Sequence, residues 1–169
     1  VMANTLRGVY GTDVLLATAN SFTGSVLQAD YNKKMAASMI MPNSLFAYQR
    51  TMTGAELKET VRAFVEGCEG GFVPFNRGSL PVVSGIAVEV KEAGGSYTLT
   101  GITRNGQPLG ENDTVTVTCL ATAKQMAALF PDESSALADD GVWVKDTWRD
   151  HVSGGGAALA EPENYMTLR

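Results

Sequence analysis

The chain has 169 residues, of which 44% are hydrophobic and 18% charged, with 13 Lys+Arg against 18 Asp+Glu and a formal net charge of −5. That length suits one domain and buries enough surface to need no disulfide or metal for a core. The acidic balance removes general attraction to phosphate backbones, so binding of nucleic acid through a basic face is not expected. No apolar run approaches the roughly 18 residues of a membrane span, and the N-terminus has no basic region followed by a long apolar stretch, as a signal peptide would.

The opening residues Val1 to Arg7 read as the later part of a helix entered without a cap, with Gly8 or Gly11 as its stop. The chain is therefore expected to be a fragment of a longer polypeptide, with its first helix truncated. Gly11-Thr12-Asp13 leads into Val14 to Ala17, a continuous apolar run suited to a strand buried on both faces. Asn20 to Ser25 follows as a polar loop, a place where ligand-contacting groups often sit. Met39 to Met41 is halted at Pro42-Asn43-Ser44, and a second apolar stretch, Leu45 to Tyr48, then leads to Thr53.

Thr53-Gly54-Ala55-Glu56 has the form of a capping box, in which each side chain satisfies the other residue's backbone donor. Leu57, Val61, Phe64 and Val65 then make one apolar helical stripe, ended by Gly67 and Gly70-Gly71. Ile86, Val88 and Val90 alternate with Ala87, Glu89 and Lys91 as a half-buried strand. A turn at Gly94-Gly95 returns the chain through Tyr97 to Thr100, and Asn105-Gly106 marks another turn. Thr114 to Leu120 is a β-branched strand with Val115, Val117 and Cys119 facing one way. Ala121 to Phe130 favours helix, stopped by Pro131. Asp146 is placed to cap a short helix carrying Trp148 and Val152, broken by Gly154-Gly155-Gly156, and Tyr165 to Leu168 reads as a last strand. Without a regular βαβ rhythm, the fold class is α+β, a mixed sheet with antiparallel hairpins packed against helices.

Catalytic constellations are missing. The one histidine, His151, stands between Asp150 and Val152, the setting of a surface or helix-end residue. No His/Cys/Asp cluster has metal-ligand spacing, no G-x-S-x-G elbow is present, and no phosphate loop with its lysine occurs. Asp132-Glu133 and Asp139-Asp140 lie in polar stretches and read as solvated charge. Cys68 and Cys119 carry no spacing information, and their pairing stays open.

From about residue 8 onward the chain resembles the C-terminal domain of the 5′-nucleotidase family. The residues that carry the resemblance are Gly11-Thr12-Asp13-Val14 with Asn20 after the strand, and Pro42 twelve residues before Gly54. Thr53-Gly54-Ala55-Glu56-Leu57, Val83-Ser84-Gly85-Ile86, Gly106-Gln107-Pro108-Leu109 and the stretch from Asp146 to Leu168 complete it. The resemblance implies a domain that binds the nucleoside part of a nucleotide or similar small molecule. Hydrolysis would belong to a separate N-terminal metallophosphoesterase domain of the same protein, which holds two divalent metal ions. No cofactor is implied in this chain, and export to the periplasm, the medium or the cell surface is.

The same resemblance points to site residues. Asn20 matches the family's loop asparagine, while Ser25 stands where the family has arginine and Asn43 where it has a stacking phenylalanine. Phe130 falls at the family's second stacking phenylalanine, and Gly85 at a position where the backbone approaches the ligand. Phe22 and Phe46 are the rings available to replace the one lost at Asn43; for these, and for Phe130, core packing is the competing reading. Asn20 is equally suited to stabilising its own turn. The loss of the arginine and the phenylalanine keeps a second function open, a degenerate domain serving as a cell-surface structural or interaction module.

Overall fold

The structure is a computed structural model and describes residues 2–22, 38–41, 44–73, 81–131, 142–155 and 166–168. Helix α1 spans Met2–Tyr10 and gives way at Gly11, the second of the two expected stops. Strand β1, Val14–Thr18, ends in a single 3₁₀ turn, Ala19–Ser21. Strand β2, Phe46–Thr53, runs directly into helix α2, Gly54–Glu66. Strands β3 (Pro81–Ser84), β4 (Ala87–Ala93), β5 (Ser96–Arg104), β6 (Gln107–Pro108) and β7 (Thr114–Ala121) follow. Helix α3 (Ala123–Leu129), strand β8 (Val142–Trp143), helix α4 (Val144–Ser153) and strand β9 (Met166–Leu168) complete the described elements.

The strands form two sheets. The five-stranded sheet has the order β3-β1-β7-β2-β8, with β1 and β7 parallel and the other neighbours antiparallel. The four-stranded sheet has the order β6-β5-β4-β9, with β9 parallel to β4. The α+β class and the mixed sheet with hairpins are as the sequence pattern predicts.

Alternation along β1 explains its unbroken apolar run. Val14 and Leu16 join Leu57, Val61 and Phe64 of α2 and Val88, Val90, Leu99 and Ile102 of the second sheet. Leu15 and Ala17 face the other way, onto Ala3 and Leu6 of α1 and Val144 and Trp148 of α4. The five-stranded sheet is thus the middle layer, covered on both faces. Each fully buried aliphatic or aromatic side chain in it contributes about 1.5–3 kcal/mol relative to exposure.

The start of α2 is fixed as the sequence predicts. Glu56 N–H donates to Thr53 Oγ1 at 3.3 Å, and Thr53 N–H donates to a Glu56 carboxylate oxygen at 2.7 Å. Those bonds hold the Glu56 carboxyl below its ordinary range, the Thr53 backbone bond first. Gly54 has a separate cause: a Cβ there would lie 2.0 Å from the Gly110 carbonyl oxygen. The loop that brings Gly110 so close also offers the Glu111 carbonyl to Ala55 N–H at 3.0 Å, satisfying another donor of the helix end. A second capping box, Thr122 with Gln125, opens α3.

Two expectations are corrected. Asp146 does not cap α4: the helix starts earlier, with Trp143 as an N-cap that makes no side-chain bond, and Asp146 sits in the first turn beside Arg149 at 2.5 Å. Pairing of Trp143 with Phe46 pins the chain into strand, and the helix begins where that pairing stops. Ile86 is buried but precedes β4, which starts at Ala87. Cys68 and Cys119 are both free thiols. Cys119 is wholly buried, which pushes its pKa up to about 12. Asp132-Glu133, Asp139-Asp140, Gly156 and Tyr165 lie outside the described residues.

Candidate functional site

Because β1 runs parallel to β7 and antiparallel strands flank the pair, several chain ends meet along one edge of the five-stranded sheet. Asn20 follows β1 there. Ala121, at the end of β7, pairs with Phe46 at the start of β2, and Phe46 pairs in turn with Trp143 at the end of β8. We call this the carboxyl edge of β1 and β7, where ligands commonly bind in open sheets that contain parallel strands.

Asn20 is exposed on its 3₁₀ turn, with its side-chain amide able to donate and accept. Beside it the turn is anchored by Ser21, whose hydroxyl meets Thr18 Oγ1 at 3.3 Å and whose carbonyl accepts from Met41 N–H at 3.1 Å. Phe46 is half-buried, with its ring 5.1 Å from that of Trp143 in an edge-to-face contact and 6.1 Å from that of Tyr48. Trp143 leaves 47% of its surface exposed. The edge therefore offers an amide and an aromatic pair, groups suited to holding a ligand rather than to breaking a bond.

The other residues singled out from the sequence are distributed elsewhere. Phe22 is half-buried, packed against the layer of α1 and α4, and bridges to Ile40. Phe46 and Phe130 pack on the opposite face of the sheet, so the three rings do not line one cleft. Phe130 receives the Arg50 guanidinium, whose carbon lies 4.0 Å from the ring centroid, a cation–π contact. Arg50 lies four residues along β2 from Phe46, about 13 Å at strand rise. A cavity of about 660 Å³ opens there, lined by Arg50, Glu56, Thr60, Cys68, Glu111 and Phe130 among others. Asn43 and Ser25 lie outside the described residues.

Gly85 stands at the far end of β1. Its φ is +87°, and a Cβ would lie 2.0 Å from the Asp13 carbonyl oxygen, so the chain's own backbone accounts for the glycine. About seven residues of mostly extended chain, on the order of 20 Å, separate Asp13 from Asn20. One nucleoside does not reach both.

That far edge is a polar lock. The Asp13 carboxylate accepts from Thr116 N–H at 2.8 Å, from Thr116 Oγ1 at 2.8 Å and from Arg104 at 2.5 Å. The Thr116 backbone bond, ahead of the other groups, holds its carboxyl below the ordinary range. Arg7 donates to the Asp13 carbonyl at 3.2 Å and to Ser84 Oγ at 2.9 Å, and Ser84 Oγ donates to Asn4 at 2.6 Å. His151 is half-buried on α4 with its ring stacked 6.1 Å from Trp148. Among the described residues no group of three His, Cys, Asp or Glu side chains is placed to hold a metal ion.

Sequence reasoning missed Arg50 and Trp143. Gly141-Val142-Trp143 carried a signal, an apolar pair after a polar stretch, but nothing in it marked the indole as exposed.

The same architecture recurs in solved structures. The NAD nucleotidase NadN of Haemophilus influenzae superposes with a TM-score of 0.63 at 16% identity, over 99% of this chain and 32% of that one. A 5′-nucleotidase precursor from Thermus thermophilus gives 0.64 at 14% identity, over 99% of this chain and 35% of that one. The chain has a 5′-nucleotidase-type fold. The sulfate thiohydrolase SoxB of Thermus thermophilus shares it, with a TM-score of 0.65 at 13% identity over 97% of this chain and 30% of that one. This chain thus spans about a third of the length of the structures it matches. No protein-family model matches it, and no curated protein does. The proteins sharing this fold bear names with different substrates, so the fold by itself does not select a ligand.

Proposed function

We propose that this chain is the substrate-binding domain of a 5′-nucleotidase-type metallophosphoesterase. It holds the nucleoside part of a nucleotide, and a separate N-terminal domain of the same protein, with two divalent metal ions, performs the hydrolysis. The observation that carries the reading is the superposition of 99% of this chain on about a third of an NAD nucleotidase and of a 5′-nucleotidase precursor. The carboxyl edge supports it, with an exposed amide at Asn20 and an aromatic pair at Phe46 and Trp143. Holding a substrate in reach of catalytic groups is itself a rate effect, since it turns an encounter into an intramolecular step. An extracytoplasmic location belongs to the same proposal. No described helix is long and apolar enough to cross a membrane.

Calorimetric titration of AMP, adenosine and UDP-sugars into this chain, and into the longer protein, tests the reading. Binding of at least one below millimolar concentration is the expected result, and no heat from any of them in either preparation overturns it. One observation favours the second reading, a degenerate surface or interaction module: Phe22 and Phe46 stand on opposite faces of the sheet and do not rebuild a two-ring clamp. That module would fold normally and bind none of the nucleosides.

A further inference from the structure

The turn between β5 and β6 is Asn105-Gly106, and both residues have left-handed backbone, with φ of +52° and +76°. Such a pair closes a tight hairpin with the twist of its strands, which is why asparagine and glycine stand there. Among the described residues Asn105 is the one residue other than glycine with positive φ, and in the whole sequence it is the one asparagine followed by glycine. Residues 105–108 are all exposed. Among the described residues none bonds to the Asn105 side-chain amide. A Cβ added at Gly106 would meet nothing within 4 Å, so the peptide that joins the two has open space around it.

The ladder that closes this hairpin is short. Strand β6 lies at the border of its sheet and pairs Gln107 with Arg104 and Pro108 with Thr103; beyond them Leu109 N–H donates to the Ile102 carbonyl at 3.1 Å. A border ladder of this length opens locally at small cost. Once the Arg104–Gln107 pair is released, rotation about the Asn105 Cα–C bond brings the Gly106 nitrogen toward the Asn105 side-chain carbonyl carbon. Glycine leaves that approach unhindered because it has no Cβ.

We propose that Asn105 is a modification site, at which the folded protein loses ammonia without an enzyme. The Gly106 nitrogen gives its proton to hydroxide and bonds to the Asn105 side-chain carbonyl carbon. The bond from that carbon to the side-chain nitrogen breaks, and the nitrogen leaves as ammonia with a proton from water, which regenerates the hydroxide. A five-membered succinimide remains. Water adds to one of its two carbonyl carbons and breaks the ring C–N bond on that side. Attack at the side-chain carbonyl gives aspartate, and attack at the main-chain carbonyl gives isoaspartate. Either product adds one negative charge to a chain of net charge −5. Isoaspartate also adds a carbon to the main chain within a two-residue turn, and the Arg104–Gln107 pair does not close over it. Arg104, which holds Asp13, is the residue next to the lesion.

The wild-type chain, N105D and N105Q are incubated at pH 8, native and in urea, and their peptides are mapped by mass spectrometry. In the native wild type the peptide carrying Asn105 becomes about one mass unit heavier, ahead of those carrying Asn4, Asn20 and Asn112. Part of it becomes a substrate for a carboxyl methyltransferase that recognises isoaspartate. N105Q, which would need a six-membered ring, keeps its mass. The isoaspartyl form, isolated by anion exchange, has a lower urea midpoint than N105D, which keeps the length of the turn. Native Asn105 that converts no faster than Asn20 or Asn112, or that converts in urea alone, overturns the site. Isoaspartyl protein as stable as N105D overturns the effect assigned to the turn.

Discussion

The two ends of β1 are built on opposite principles. At the amino end Asp13 is tied to Thr116 and Arg104, its carbonyl meets Arg7, and Gly85 is pressed against it, so α1, β5, β7 and the turn after β3 meet at the residue that precedes β1. At the carboxyl end Asn20 is exposed and Trp143 shows half its surface to water. One end satisfies its polar groups internally, and at the other, among the described residues, Asn20 and Trp143 are exposed. Among the described residues, the internal bonds of β1 are concentrated at its amino end.

The sharpest way to break that contrast is Gly85→Ala. A Cβ 2.0 Å from a carbonyl oxygen cannot be accommodated by a side-chain rotation, and the +87° φ adds backbone strain. We expect a loss of about 3 kcal/mol or more in urea unfolding. The folded fraction should bind adenosine as the wild type does, because the site is on the order of 20 Å away. Normal stability with lost binding would reverse the assignment of the two ends.

Asp13→Asn is the next largest. It keeps a side chain able to accept from Thr116 but removes the charge facing Arg104. Both partners are about one-third exposed, so solvent screens the pair and the expected loss at pH 7 is about 1–2 kcal/mol. The sign of the pH dependence follows from the depressed carboxyl. The stabilisation is complete above the ordinary carboxylate value of about 3.9 and is lost as pH falls through the lower folded-state value. The difference in urea midpoint between wild type and D13N should therefore be constant near pH 7 and narrow as pH falls below about 3.9. Glu56, also depressed, is common to both proteins and cancels in the difference.

Local chemistry was legible in the sequence where it acts over a few residues. The Thr53–Glu56 capping box, the stripe from Leu57 to Val65 and the alternation in β4 and β7 each depend on neighbours within two turns or one strand. Gly85 could be marked as special from its motif, but the reason is the carbonyl of Asp13, more than seventy residues away in the chain. Gly54 is the same case, since Gly110 supplies the contact. The start of α4 was misread because Asp146 looks like a cap, while the deciding interaction is the pairing of Trp143 with β2. Of the site, Asn20 and Phe46 were visible as loop and strand residues. Trp143 was not, because its exposure follows from the position of β8 at the border of the sheet. The Thr122–Gln125 box is legible by the same rule as the first.

Asn20→Ala is the mildest substitution, and it probes the open end directly. The side chain is exposed, and the described anchors of its turn run through Thr18, Ser21 and Met41. Thermal or urea unfolding should therefore move by less than about 0.5 kcal/mol. If the amide contacts the sugar or base, removing one hydrogen bond of about 0.5–1.5 kcal/mol weakens adenosine binding by roughly twofold to thirteenfold. The two readouts separate the rival roles of this residue. A turn-stabilising asparagine would lose stability and leave affinity alone, whereas a ligand-holding one would do the reverse.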